Sequence, residues 1–387
     1  MRGIDVSMKS GRSVQAQIEA CCARAAAWLW GMQVAAHPRG VLRFSSHHDP
    51  RRWAGVLLPA TYNGVMALDL LGELGRLAQA ETGSLAGFLK GFRTPSGVFA
   101  IPEMTEGDVY KKPNREETWG YIRFHLTNYT LGALQALDAH DDLNFTFLAP
   151  FLDPQYLEAW LARRDLRDPW QEGNNIVNLG SFLLLLRERG DQAQRERAER
   201  ALAVLFDWHD RLQEPSTGFW GVDQAHNPRM ALHAMAGATH NFHLWYACSR
   251  MPPHFDRAID FCLSLPSHAD CACIDVDEVD ILAHGHLLLN HRRAEIRSWL
   301  SAKLEGLLAL QQGDGGFFDE RQGVRRVDGW VKGYEEPQGL SNTFATWFRL
   351  IAIAMIAETL WPGWRAWGFR RMIGIGYCKR REEARSD

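Results

Sequence analysis

Apolar residues along the chain recur at three- and four-residue steps, and no long alternating run of the kind a half-buried strand needs interrupts them. The chain therefore reads as a succession of helices, and two kinds take turns. One kind is amphipathic, with charges on its outer face: Gln15 to Gly31, Leu71 to Leu89, Gln155 to Arg164, Asp191 to Gln213, His254 to Leu265 and Arg292 to Gln311. The other is apolar over most of its surface, with polar residues near its start: Ala60 to Leu70, Trp119 to Leu137, Asn174 to Leu186, Leu232 to Cys248, Asp277 to Leu289 and Ser341 to Leu360. Such alternation predicts an inner barrel buried on both sides, within an outer ring that has one wet face. The expected fold is all-α, a single (α/α)6 toroid over residues 1–360 followed by a basic aromatic tail, 361–387. An irregular bundle or a solenoid is the alternative that the same pattern allows. In a toroid the inner helices run parallel and open their N-termini, with unpaired N–H groups, on one face. Polar residues at their starts then converge on one funnel.

The loops between helices repeat. Thr94-Pro95-Ser96-Gly97-Val98-Phe99, Pro215-Ser216-Thr217-Gly218-Phe219-Trp220 and Gly313-Asp314-Gly315-Gly316-Phe317 share a turn that leads to Gly and then an aromatic residue. Asp165 to Trp170 and Pro266 to Cys273 keep the register without the full signature. Recurrence about every 50 residues marks stacked supersecondary units.

Composition narrows the function classes. With 43 Lys plus Arg against 46 Asp plus Glu, the net charge of −3 argues against a general nucleic-acid binder, which needs a basic surface. The seven Cys are scattered without a paired framework, and the first residues lack the pattern of a signal peptide, so a cytoplasmic, reduced setting is expected. The apolar stretch Leu350 to Leu360 is too short to span a bilayer and contains Glu358. In the tail, Trp361, Trp364, Trp367, Phe369 and Ile373 interleave with Arg365, Arg370, Arg371, Lys379, Arg380 and Arg381. Two readings fit: a segment packed on the domain with snorkelling Arg, or a peripheral contact with a membrane interface. The outlier is Trp, 15 residues beside 19 Phe and 8 Tyr, enough to fill a core and also to line a ligand pocket.

The sharpest chemical feature is Asp275-Val276-Asp277-Glu278-Val279-Asp280, four carboxylates in six residues ahead of an apolar helix. In a dry site they cannot all ionise, so one becomes a proton donor near neutral pH. Helix capping and the helix dipole account for one or two acids, and less well for four. Asp277, Asp280 and His284 share a helical face. His240 and His243, three apart on the preceding inner helix, point to the pocket wall. With Asp277 or Asp280 they form a conceivable metal set, but no HExxH or tight His/Cys grouping supports one, so neither metal nor cofactor is expected. Asn174, Asn175 and Asn178 open another inner helix, where one caps it and the rest need partners. Asn63, Asn128 and Asn342 add to a polar rim, and Arg123 and His125 to its wall. Trp119, Trp245 and Trp347 fall on inner helices, and Trp220 and Trp330 at mouths. Glu103 to Tyr110 forms either a lid or a solvated loop.

Gln311, three residues, Gly315, one residue and Phe317 resemble the repeated Gln/Trp motif of the squalene–hopene and related class II terpene cyclases, with Phe in the Trp position. Gln213 to Trp220 is a looser copy with one extra residue. Asp275-Val276-Asp277-Glu278 is similar to the Asp-x-Asp-Asp acid motif of that superfamily, with Glu last and without the following Thr. The resemblance implies that Asp277 protonates an alkene of a prenyl chain, that Asp275 and Glu278 tune it, and that aromatic faces stabilise the carbocations; Asp280, from the same acidic cluster, is a further catalytic candidate. Asn175, Asn178, His240, His243, Trp119, Trp245, Trp347 and Asn342 would bind the substrate. Two departures matter. Family members have two helical domains where this chain has room for one toroid, and the Asn- and His-rich rim suits a prenylated substrate with a polar head. The related prenyltransferases need a zinc site, and Asp270-Cys271-Ala272-Cys273 has the wrong spacing for it. Two other classes remain open. One is an intracellular carbohydrate-active enzyme that pairs Asp277 or Asp280 with Glu103, Glu106 or Asp108. The other is a non-catalytic toroid that binds a lipid or glycan.

Overall fold

The computed structural model describes residues 13–101, 115–140, 144–224, 226–268, 271–319, 325–326 and 334–369, with backbone alone at 115–120 and 325–326. Among the described residues the chain is all-α, with twelve α-helices: α1 Val14–Gly31, α2 Leu57–Leu70, α3 Gln79–Lys90, α4 Arg115–Ala136, α5 Pro154–Ala162, α6 Pro169–Arg189, α7 Gln192–Leu212, α8 Pro228–Ala247, α9 Phe255–Ser264, α10 Ala272–Leu288, α11 Arg293–Leu308 and α12 Thr343–Leu360. A two-stranded antiparallel ribbon, β1 Arg325–Arg326 and β2 Glu335–Glu336, precedes α12.

The even-numbered helices start earlier than their apolar patterns suggest, α12 excepted. Proline explains two of these starts. Pro169 and Pro228 occupy first-turn positions, with Asp168 and Asn227 as caps whose side chains accept backbone N–H bonds. Asp168, not an Asn, is thus the cap of α6. The Leu71 to Leu89 segment is broken instead. Gly72 sits at φ +76° and a short 3-10 turn at Leu74–Arg76 follows, so α3 begins only at Gln79.

The even-numbered helices pack in a cycle: α2 on α4, α4 on α6, α6 on α8, α8 on α10, α10 on α12, and α12 back on α2. Most odd-numbered helices lie against them, α7 on α6, α9 and α11 on α10, α3 on α2 and α4, and α1 on α12 and α2, while α5 packs on α7. Small residues set the tightest contact. A Cβ on Gly173 of α6 would lie 2.4 Å from the Gly237 carbonyl oxygen of α8, so only glycine allows this approach. By length and composition α12 could cross a membrane, with an 18-residue window of mean hydropathy 1.4, but every one of its residues is buried within the protein.

The repeated loops are staples. Gln311 Nε2 donates to the carbonyls of Gly315 and of Cys21 on α1, both at 2.8 Å. Gln213 Nε2 does the same to Gly218 and to Pro253, just ahead of α9, again at 2.8 Å. One amide therefore closes its own turn and grips the next outer helix. Gly315 has φ +100°, and a Cβ there would meet the Arg24 carbonyl oxygen at 2.6 Å. The loop end is tied inward by a threonine: Phe317 N–H donates to Thr346 Oγ1 at 3.0 Å, and Phe99 N–H to Thr127 Oγ1 at 2.8 Å. A related turn that the sequence pattern missed, Gln33 to Leu42, keeps the glycine and the threonine tie, but its glutamine bonds only within the turn. There Gly40 has φ +93°, Gly40 N–H donates to Gln33 Oε1 at 2.6 Å, and Leu42 N–H donates to Thr61 Oγ1 at 3.2 Å. Leu in the aromatic position hid it.

Beyond α12 the segment 361–369 folds back on α2. Gly368 N–H donates to the Leu70 carbonyl at 3.0 Å, Arg365 lies over the Trp367 ring, and Trp361, Trp364, Trp367 and Phe369 pack partly buried on the core. Ile373, Arg370, Arg371 and the later tail residues lie outside the described residues.

Candidate functional site

The acidic run lies inside α10, not ahead of it. Ala272 opens the helix, its N–H donates to Asp319 Oδ1 at 2.8 Å, and the side chains of Asp275, Asp277, Glu278 and Asp280 are all buried. A burial of this kind is tolerated only where each charge is paired or neutralised. Three of the four acids have basic partners. Asp275 is held by Arg349 of α12 and by Lys303 Nζ of α11 at 2.5 Å. Glu278 shares that ammonium at 2.7 Å. Asp280 accepts from His243 Nε2 of α8 at 2.9 Å and lies 2.9 Å from His284 Nδ1 on its own helix. Despite burial, these two imidazoles hold the Asp280 carboxyl well below the usual carboxylate range.

Asp277 is different. Its Oδ1 lies 3.7 Å from His240 Nε2, too far for a direct hydrogen bond, and among the described residues its Oδ2 has no hydrogen-bond partner. Burial, then the nearby charges of Asp280 and Glu278, push its carboxyl well above the usual range. Burial and the neighbouring charges thus favour its protonated form.

Its surroundings come from helices across the cycle. On α4, His125 stacks on Tyr129 at 4.1 Å, and Tyr129 meets Tyr62 of α2 at 5.5 Å and Trp347 of α12 at 5.8 Å. Burial pushes His125 down to about 3, and the charge of His240 on α8 adds to this. Burial raises the Tyr129 hydroxyl, with further contributions from Cys273 and Asp277 of α10. Side chains of α2, α4, α8, α10 and α12 therefore surround one interior in which the tyrosines and His125 are neutral.

The expected site residues divide. Asp275, Asp277, Glu278 and Asp280 stand together with His240 and His243, and Trp347 joins the interior. Trp245 packs instead against Phe206 and His209 of α7 and against Trp220, between the helix layers. Asn175 donates to Glu172 at 3.4 Å beside the buried Arg164–Glu172 ion pair. Asn342 caps α12 through a 2.8 Å bond from Ala345 N–H. Asn178 accepts from Asn128 at 3.0 Å where α6 meets α4. The side chain of Trp119, and Trp330, Glu103, Glu106, Asp108 and Asp270, lie outside the described residues. Sequence reasoning missed Lys303, Arg349, Tyr62 and Tyr129. Arg349 left a signal, a lone cation in the apolar run from Ser341 to Leu360; Lys303 sits on a charged helix and left none.

His243, Asp280 and His284 place their ligating atoms within 4.8 Å of one another, all buried, which is the donor set of a divalent transition metal. Their contacts form a hydrogen-bonded His–Asp–His link between α8 and α10. His284 Nδ1 also bonds the Asp280 carbonyl, at 2.9 Å.

No family model matches the chain, and no curated protein matches it either.

Proposed function

We propose that the closed cycle of inner helices with its outer partners is an (α/α)6 toroid, and that the chain is a class II-type terpene cyclase acting on a prenylated substrate. The observation that carries this reading is Asp277: a buried carboxyl pushed toward its protonated form, with an oxygen that has no partner among the described residues, and close enough to the Tyr129 side of the aromatic cluster to influence its hydroxyl. Its three acidic neighbours are held by Lys303, Arg349, His243 and His284, which leaves the proton on the one acid free to give it.

In the proposed step the Asp277 O–H proton passes to the less substituted carbon of a terminal alkene. The alkene π pair forms the new C–H bond, a tertiary cation remains on the substrate, and Asp277 becomes a carboxylate. The faces of Tyr62, Tyr129 and Trp347 stabilise the cation without a lone pair positioned to trap it. Attack by the next alkene closes a ring, and loss of a proton from the final cation ends the sequence, so product and substrate are isomers. No cofactor takes part.

The test is incubation with prenylated aromatics and polyprenyl alcohols in D2O, with products analysed by mass spectrometry. The wild type should yield isomers that carry deuterium. Asp277→Asn should yield none while keeping its helical circular dichroism. Full turnover in that variant overturns the acid assignment.

A further inference from the structure

The interior holds a polar group that the proposed chemistry does not use. Asn63 of α2 is fully buried, and among the described residues neither its Nδ2 nor its Oδ1 has a hydrogen-bond partner. A buried amide left unpaired is costly, and few such groups survive in a native protein without a reason. Its direction follows from the register of α2. Thr61 and Gly64 face outward, since Thr61 Oγ1 takes the Leu42 N–H and a Cβ on Gly64 would strike the Leu42 side chain. Met66 and Leu70 face inward, onto a cleft shared with Gly132 of α4, Trp347 and Ile351 of α12, and Phe369. Asn63 lies three and seven residues before them and so shares their face. It sits about one turn deeper than Met66, next in sequence to Tyr62, which meets Tyr129. The amide is therefore aimed into the same interior as Trp347 and Tyr129.

We propose that Asn63 is a ligand subsite: it fixes the neutral polar head of the substrate, a hydroxyl that both gives and takes a hydrogen bond, while the hydrocarbon chain lies against Met66, Trp347 and Ile351. A carboxamide offers one donor side and one acceptor side, which matches an alcohol. The inference rests on the cyclase reading for the identity of the chain, and on the orphaned amide for the head. It names what a hydrocarbon interior would otherwise make costly, and it sets the substrate class as prenyl alcohols or phenols above bare polyprenes.

The experiment compares Asn63→Leu, close in shape and without polar atoms, with the wild type. Probes are a fifteen-carbon prenyl alcohol and the prenyl hydrocarbon of the same length, with binding followed by tryptophan fluorescence and by thermal shift. In the absence of ligand, Asn63→Leu should melt at the same temperature as the wild type or a few degrees higher, because an unsatisfied group has been removed. It should bind the alcohol at least tenfold more weakly and the hydrocarbon as the wild type does. A variant that melts several degrees lower shows an amide already satisfied within the fold, and overturns the subsite. So does equal loss of both probes, or a wild type that binds neither. Discrimination by Asn63 without any turnover, in a protein whose Asp277→Asn form behaves identically, would overturn the cyclase reading and leave the subsite standing.

Discussion

At the scale of single residues, four adjacent acids are made unlike one another by what each touches. Lys303 is the pivot, because one ammonium serves both Asp275 and Glu278 in a fully buried place. Lys303→Met should cost about 3–5 kcal/mol of stability, the price of leaving buried carboxylates short of a partner. A urea midpoint equal to that of the wild type would refute this. The two buried histidines give a second expectation. His209, bonded to the Leu205 carbonyl and to Asn241, is pushed down to about 4 by burial, and His125 to about 3. Both titrate near 6.5 when unfolded, so the unfolded chain gains protons first as the medium acidifies. Their contribution to stability is complete above pH 6.5 and falls below it, by about 2 kcal/mol for each histidine at pH 5. Urea midpoints at pH 7 and pH 5 measure the loss, and His209→Gln should flatten the dependence. The buried acidic cluster was legible because four carboxylates in six residues stand out against an apolar helix. The cations that neutralise three of them were not, because an ion pair between α10, α11 and α12 has no sequence spacing.

At the scale of elements, the helices were legible from the 3.6-residue period and their ends were not. Pro169 and Pro228 start α6 and α8 several residues early, and α10, which opens early without a proline, at Ala272, carries Asp277 in its second turn and not at its start. The difference is physical: at the start, the helix dipole would favour ionised carboxylates, whereas inside the helix burial decides. Trp245 shows a second limit. Residence on an inner helix does not tell which face a side chain takes, and this indole faces α7. The loop staples show a third, since Gln33 to Leu42 keeps the glutamine, the glycine and the threonine contact while losing the aromatic ring that marks the motif. Because Gln311 closes its own turn and grips α1, Gln311→Ala should loosen both. The expected result is a loss of about 1–2 kcal/mol, two bonds of ordinary worth, with faster amide exchange confined to residues near Cys21 and Gly315. Exchange that rises evenly across the chain would contradict a local staple.

At the scale of the whole molecule, helix content and the alternation of two helix types follow from pattern, whereas the cyclic order of contacts depends on pairs that are far apart in sequence. Gln311 meets α1 across 290 residues, and Arg365 reaches the Leu71 carbonyl across 294. These contacts join the beginning and the end of the described chain, and with α12 they complete the enclosure around Asp277. During synthesis this has a consequence. The helices emerge in order, and each inner helix but the first finds a neighbour already made. α2 must wait for α12, with its apolar flank open, until every helix between them has emerged. α12 is therefore the keystone of assembly: before it arrives there is an arc with an apolar edge open to water, and after it arrives the cycle of even-numbered helices is closed. The acid inside cannot be shielded from water until α12 has closed the cycle.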